Sequence, residues 1–456
     1  MGCGAIRFHR KNTEMTSKLH VLSALMLTVG SAAAAGLHHG QFNIGTYCLA
    51  TYAQTEDHLR DMKEAGIDFV IDLCGNSGRP LLAKYGIQEI VGGYIPHPPG
   101  TPTAGSWAQE GTLEKFDKGC AKFRADYDAG KYPTFAALSL GDEPNAVDFP
   151  HLGKTVARVH KAMAGLPLYL NLFPAYASTT PTEKYPKAQL GTSSYKEYIA
   201  AYCRNVPIDH ICWDFYMYSP PDHSLLPKFY ENFTVVADAC RNTGRTLRFI
   251  GQVNSSRENF WVSENMLRFQ GFATMAFGGE SIAWACWTAG WWKNFVIDAK
   301  GRKTQQYEKV KKVNAELKRL SPEYMRFRNV ATYFVGFPQN CEDLKLSEDE
   351  KPVEALDDGF MRNLRALDGD RLVVGAMVAR KEGCADRAYF VLAADDPFDE
   401  AHKTRSVRFA LAEGFSAKVH GWSGNIALGT GDDGNKVFNL ESCAGVLIVV
   451  SPASVR

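Results

Sequence analysis

Gly141-Asp142-Glu143-Pro144 places two carboxylates side by side directly after the apolar run Thr134–Leu140. Adjacent acids can divide labour, one held protonated as a proton donor and the other ionised as a base or charge partner. A third acid, Asp214, lies at the end of a second apolar run in Trp213-Asp214-Phe215-Tyr216, and Glu258 comes after a third. Amides occupy comparable places at Asn76, Asn171, Gln252 and Asn254, and aromatic rings at Tyr216, Trp287, Trp291 and Trp292. Acids and amides bond hydroxyl groups, and indole faces stack on the apolar face of a pyranose, so the set suits a sugar. His97, beside Pro98-Pro99, is a further cleft candidate.

Something must bring these scattered residues together. Eight short apolar runs read as strands: Phe42–Cys48, Phe69–Leu73, Glu89–Ile95, Thr134–Leu140, Leu168–Phe173, His210–Tyr218, Leu247–Val253 and Ser281–Thr288. Helical patterns alternate with them at Glu56–Ala65, Leu113–Ala129, Phe149–Ala164, Tyr195–Cys203, Phe229–Asn242, Ser263–Phe277 and Thr304–Leu320, several ending at a capping glycine. This alternation predicts an α/β architecture, a (β/α)8 TIM barrel over residues 36–325. An open doubly wound sheet is disfavoured, because Gly45-Thr46-Tyr47 after the first strand is no phosphate-binding loop. Glu143 then ends strand four, Asn171 strand five, Asp214 strand six, and Gln252 and Asn254 strand seven. Trp287 comes after strand eight and Asn76 after strand two. All face the C-terminal mouth, where barrels of this kind do their chemistry. Glu280 precedes strand eight and belongs to the opposite end. After Pro322 the period changes to short alternating runs, among them Arg371–Val378, Arg387–Leu392 and Gly445–Val450, with an acidic loop at Cys341–Asp358. Residues 326–456 are therefore expected to form an antiparallel β-sandwich.

Composition sets outer limits. The chain has 456 residues, 45% hydrophobic and 22% charged, an ordinary globular balance. Its net charge is +1, of which the first 35 residues contribute +3 (Arg7, Arg10, Lys11 and Lys18 against Glu14), leaving −2. No strong field remains for nucleic acid or an anionic membrane. Leu19–Val29 and then Ser31-Ala32-Ala33-Ala34-Ala35 read as a signal peptide over residues 1–35, with Met15 as the better start. A secreted or periplasmic protein without an integral membrane segment is expected. The 11 Cys form no close CxxC pair and the 12 His are scattered, so neither a metal nor another cofactor is expected.

With Asp142-Glu143-Pro144 at strand four and Trp213-Asp214-Phe215-Tyr216 at strand six, the chain resembles clan A glycoside hydrolases. It is nearest in style to family 42-like β-galactosidase barrels and their secreted bacterial relatives. Ser263–Gln270 up to Gly278-Gly279 resembles their helix between strands seven and eight, and the tail resembles their small C-terminal β domain. The resemblance implies Glu143 as the acid/base, with Asp142 where the clan has Asn. It implies a sugar site drawing on Asp142, Asn171, Tyr216, Gln252, Asn254, Trp287 and Asn76, and an oligosaccharide or polysaccharide as substrate. The clan's second carboxylate is a Glu ending strand seven, but here that strand reads Arg248–Asn254 without an acid. Retaining hydrolysis needs carboxylates about 5–5.5 Å apart and inverting hydrolysis roughly 6.5–9.5 Å. The second acid is expected to be Asp214, favoured because its strand end holds it rigidly, or else Glu258, in the loop after strand seven. The alternative is a non-catalytic carbohydrate-binding protein on a degenerate barrel.

Overall fold

Parallel strands covered on both faces need near-continuous apolar runs, and the first half of the chain supplies eight of them. In the computed structural model they form a closed parallel barrel in chain order, β8 pairing back with β1. The strands are β1 (Asn43–Leu49), β2 (Phe69–Leu73), β3 (Gln88–Val91), β4 (Phe135–Asp142), β5 (Leu168–Leu172), β6 (His210–Phe215), β7 (Thr246–Gln252) and β8 (Gly279–Ala285). The structure describes residues 36–453 apart from 39, 96–111, 220, 289–291, 340–343, 345–351 and 402. The expected leader, His97, Trp291 and most of the acidic loop fall outside the described residues.

Side chains pointing inward fill the barrel: Phe69, Ile71, Ile90, Ala137, Tyr169, Cys212, Ile250, Ala283 and Cys286 are all buried there. Gly45 is inward too, and a Cβ on it would lie 2.3 Å from the Phe69 ring. The first strand thus gives up a side chain so that its neighbour can fill the interior. The nine described cysteines are all free. Several, like Cys212 and Cys286, serve as small apolar filling.

Outside the strands lie α1 (Glu56–Glu64), α2 (Arg79–Tyr85), α3 (Thr112–Asp128), α4 (Phe149–Ala162), α5 (Tyr195–Asn205), α6 (Leu226–Thr243), α7 (Glu264–Ala276) and α8 (Gln305–Tyr324). Thr55, Ser194, Ser263 and Thr304 cap α1, α5, α7 and α8 by accepting backbone N–H bonds. No described helix is long and apolar enough to cross a membrane.

Ten strands come after the barrel: β9 (Phe327–Val335), β10 (Met361–Ala366), β11 (Leu372–Ala379), β12 (Arg387–Ala393), β13 (Thr404–Leu411), β14 (Phe415–Gly421), β15 (Gly424–Ile426), β16 (Gly429–Thr430), β17 (Lys436–Glu441) and β18 (Gly445–Pro452). They make a six-stranded sheet, β15-β14-β18-β12-β11-β9, and a four-stranded one, β10-β13-β17-β16, all antiparallel. Val374, Val391, Val407, Phe409, Phe438 and Ile448 fill the space between the two sheets. The opposite face of the larger sheet packs on the barrel through Val373, Phe390 and Leu447, which belong to the barrel's own outer core.

Candidate active site

Strand four does not run straight into its acids. The β4–β5 register shifts between Ser139 and Asp142, and Gly141 takes a φ of 137°. Such a backbone is open to glycine and strained for other residues, and the bulge re-aims the two acids beyond it. Asp142 then pairs with Asn171 on β5, and Glu143 adopts the left-handed conformation at φ 45°. The turn is pinned on both sides. The Glu143 N–H donates to the Asn171 carbonyl (3.0 Å), and the Pro144 carbonyl accepts from the Tyr198 hydroxyl (2.8 Å). The Asn145 side chain caps the next turn and donates to the carbonyls of Ala188 and Gln189.

Asn171 is the hinge of the site. Its amide nitrogen donates to Asp142 Oδ1 (2.9 Å) and to Asp214 Oδ1 (2.7 Å), so one side chain holds two carboxylates from β4 and β6. Asp214 is only 4% exposed. Burial, and then the Asp142 charge, push its pKa up to about 7, while bonds from Asn171 and the Tyr216 hydroxyl oppose the rise. Glu143 is raised well above the usual carboxylate range by burial, then by Asp214 and Asp142. Three acids, Asp214 buried and Asp142 and Glu143 half-buried, thus share one region in which they cannot all ionise cheaply.

Tyrosines ring the cluster. The pKa of Tyr47, on β1, is driven up chiefly by Asp142. That of Tyr176, after β5, is raised by burial and then by Asp214 and Glu143. Tyr216 makes an edge contact with Trp292 at 4.8 Å between ring centroids. A cavity of about 450 Å³ opens beside the acids, its wall including Tyr47, Asp72, Ser139, Asp142, Tyr169 and Asn171. That volume is within the range of small-ligand sites.

The structure gathers some of the sequence candidates and not others. Glu143, Asp142, Asn171, Asp214 and Tyr216 come together. Glu258 does not: its side chain is 75% exposed and its carboxylate pairs with Lys293 at 3.0 Å. Gln252 is fully buried, its oxygen accepting from Tyr218 N–H and its nitrogen donating to Ser219 and the Asn254 carbonyl. Asn254 is equally buried and accepts from the Cys286 N–H. Trp287 is fully enclosed, edge-on to Tyr307 of α8, so it offers no face as a sugar platform. Asn76 accepts from the Arg79 guanidinium at 2.6 Å, a local bond at the start of α2. Sequence reasoning missed Tyr47, Asp72 and Tyr176. The first two stand at the ends of β1 and β2, where the same strand-end rule that finds Glu143 would have found them. Among the described residues, no three His, Cys, Asp or Glu side chains are grouped so as to hold a metal ion.

No family model matches the sequence, and no relative is found among curated proteins. Solved structures do match. A catalytic mutant of a family 42 β-galactosidase from G. stearothermophilus shares 9% identity, covers 91% of this chain and 98% of its own, and superposes with a TM-score of 0.51. The two chains share a fold. A family 39 glycoside hydrolase from the gut symbiont Bacteroides cellulosilyticus WH2 matches at 12% identity over 90% of this chain and 81% of its own, with a TM-score of 0.46. The endo-β-1,4-mannanase of Thermotoga petrophila matches at 10% over 91% and 98%, with a TM-score of 0.44. At 9% identity the likeness to the galactosidase is one of architecture, and chemistry has to be argued from the site.

Proposed function

We propose that the protein is a glycoside hydrolase in which Glu143 protonates the leaving glycosidic oxygen and Asp214 supplies the second carboxylate. The observation that carries this reading is the Asn171 amide, which binds Asp142 and Asp214 at once beside Glu143. That arrangement concentrates negative charge beside the half-buried Glu143, which favours its protonated form, as a general acid requires. An ionised Asp214 faces the oxocarbenium-like state and serves as nucleophile or base. Asp142 holds position through Asn171 and adds to the field.

The test is hydrolysis of a panel of aryl glycosides and oligosaccharides by the wild type and by Glu143→Gln. Loss of general acid catalysis should lower turnover about 10²–10⁴-fold while the thermal midpoint stays unchanged. An equally active variant removes Glu143 from the chemistry. A second reading, sugar binding without hydrolysis, is favoured by one feature: β7 ends in Gln252, whose amide is wholly committed to protein partners. Saturable sugar binding with no turnover across the panel would select it. Export is proposed from the N-terminal pattern, and N-terminal sequencing of secreted protein should begin near Gly36.

A further inference from the structure

The cavity beside the acid cluster has a one-sided chemistry. Two carboxylates, Asp72 and Asp142, line it, and Glu143 and Asp214 stand next to Asp142. Among the described residues, no Lys, Arg or His lines it. Two cations of the barrel are paired with other acids. Arg79 forks onto Glu89 through three nitrogen–oxygen bonds of 2.8–3.1 Å, and Lys293 is paired with Glu258. The sequence between Lys84 and Lys115, which includes the whole segment after β3, contains no Lys or Arg and one histidine, His97, which lies outside the described residues. Among the described residues, Asp72 accepts from the Cys48 thiol at 3.7 Å, a weak neutral donor.

A second, independent feature points the same way. Asn171 is 4% exposed and lines the cavity, and its side-chain oxygen has no hydrogen-bond partner among the described residues. Its nitrogen is fixed by the two aspartates, so the amide cannot turn to relieve that oxygen. A buried acceptor without a donor is costly, and a ligand that donates there recovers the cost.

We propose that this cavity receives a sugar bearing a free, protonated amine, with Asp72, Asp142 and the Asn171 oxygen as acceptors for the ammonium group. The inference rests on the hydrolase reading for its sugar, and on the cavity alone for its charge. An ammonium offers three donors and no acceptor, which matches a wall rich in carboxylates. A neutral sugar satisfies the Asn171 oxygen but brings no cation to Asp72, which has none among the described residues. N-acetylation removes the cation, and a uronic acid adds a repelled carboxylate.

The experiment compares aryl glycosides of glucosamine and galactosamine, in both anomers, with their N-acetylated and 2-hydroxy counterparts. kcat/KM is measured on the wild type, and binding of the same compounds to Glu143→Gln by calorimetry. The amine should be preferred at least tenfold, less so at high salt, since screening weakens charge recognition. Asp72→Asn should reduce that preference about tenfold. Asn tolerates the left-handed backbone of Asp72 (φ 60°), and circular dichroism verifies folding. Preferred turnover of neutral or acetylated compounds overturns the proposal and leaves the hydrolase reading standing. Amine-selective binding without any turnover supports the proposal and overturns the hydrolase reading. A wild type that neither binds nor cleaves any member overturns both.

Discussion

Ionising Asp214 is the most informative single event in the site. Its folded pKa of about 7 lies above the ordinary 3.8, so the native state holds the proton more tightly than the unfolded chain does. The relative stability this confers is complete below about pH 4 and is lost as pH rises to 7, above which native Asp214 carries its full charging cost. Asp214→Asn removes that cost. Against wild type, the variant should gain stability between pH 4 and pH 8, by up to about 4 kcal/mol at 1.36 kcal/mol per pKa unit. Denaturant midpoints at the two pH values measure it, and an equal offset at both would show that Asp214 is unperturbed. Activity has the opposite sign. The wild type should lose kcat/KM as pH falls through about 7, and Asp214→Asn should be as inactive as the Glu143 variant at every pH. Glu258→Gln, exposed and outside the cluster, should be close to wild type. The sequence placed Glu143 and Asp214 at strand ends and favoured Asp214 over Glu258 for its rigid strand, without deciding between them. That choice depends on which carboxylate is buried, and burial is a property of packing.

At the level of elements, the barrel strands were legible because each is buried on both faces and reads as a continuous apolar run. Phe69–Leu73 is recovered to the residue, and the other boundaries shift by a few. Other features were not legible, the short strands β10, β15 and β16 among them. The seven-residue α2 is too short to show a period. Pro322 reads as a helix end, yet it lies inside α8, which continues to Tyr324. The strand β9 alternates only weakly, with Arg328, Asn329 and Thr332 along it. Trp287 shows a further limit. It sits just past β8, and residue type alone does not say whether a ring there faces the mouth or the core. The structure turns it inward against Tyr307, where its backbone N–H donates to the Tyr47 carbonyl at 3.1 Å. Trp287→Ala should therefore cost about 3–5 kcal/mol as a core truncation. Trp287→Leu, which keeps much of the packing without an aromatic face, should leave KM within about twofold of wild type. A large rise in KM with unchanged stability would return the ring to the site.

At the scale of the whole molecule, the sandwich completes the barrel's core and is not an appendage. Every residue of α7 from Asn265 to Ala276 is buried. A barrel helix of this kind normally shows one apolar stripe and one polar face. Here both faces are covered, because the larger sheet lies across the helix, with Phe272 against Phe390 at 6.2 Å between centroids. Two glycines permit the approach. A Cβ on Gly375 of β11 would lie 2.1 Å from the Ala276 carbonyl oxygen, and one on Gly445 of β18 would lie 2.8 Å from the Phe272 ring. Ion pairs tie the same region: Arg268 of α7 to Glu316 of α8 in the buried interior, and Arg380 to Glu280 at 2.6 Å at the end of the barrel opposite the acids. The two parts should consequently unfold in one transition. Gly375→Ala should be destabilising by more than the usual 1–3 kcal/mol of overpacking, since the clash is with backbone that cannot rotate away. Calorimetry tests both points. A second, independent transition, or an alanine variant as stable as wild type, would mean that the sheet rests loosely on the helix. A barrel cut at residue 325 should expose the apolar outer face of α7 and aggregate, whereas a soluble, active fragment would show that the acid cluster needs nothing from the sheets behind it.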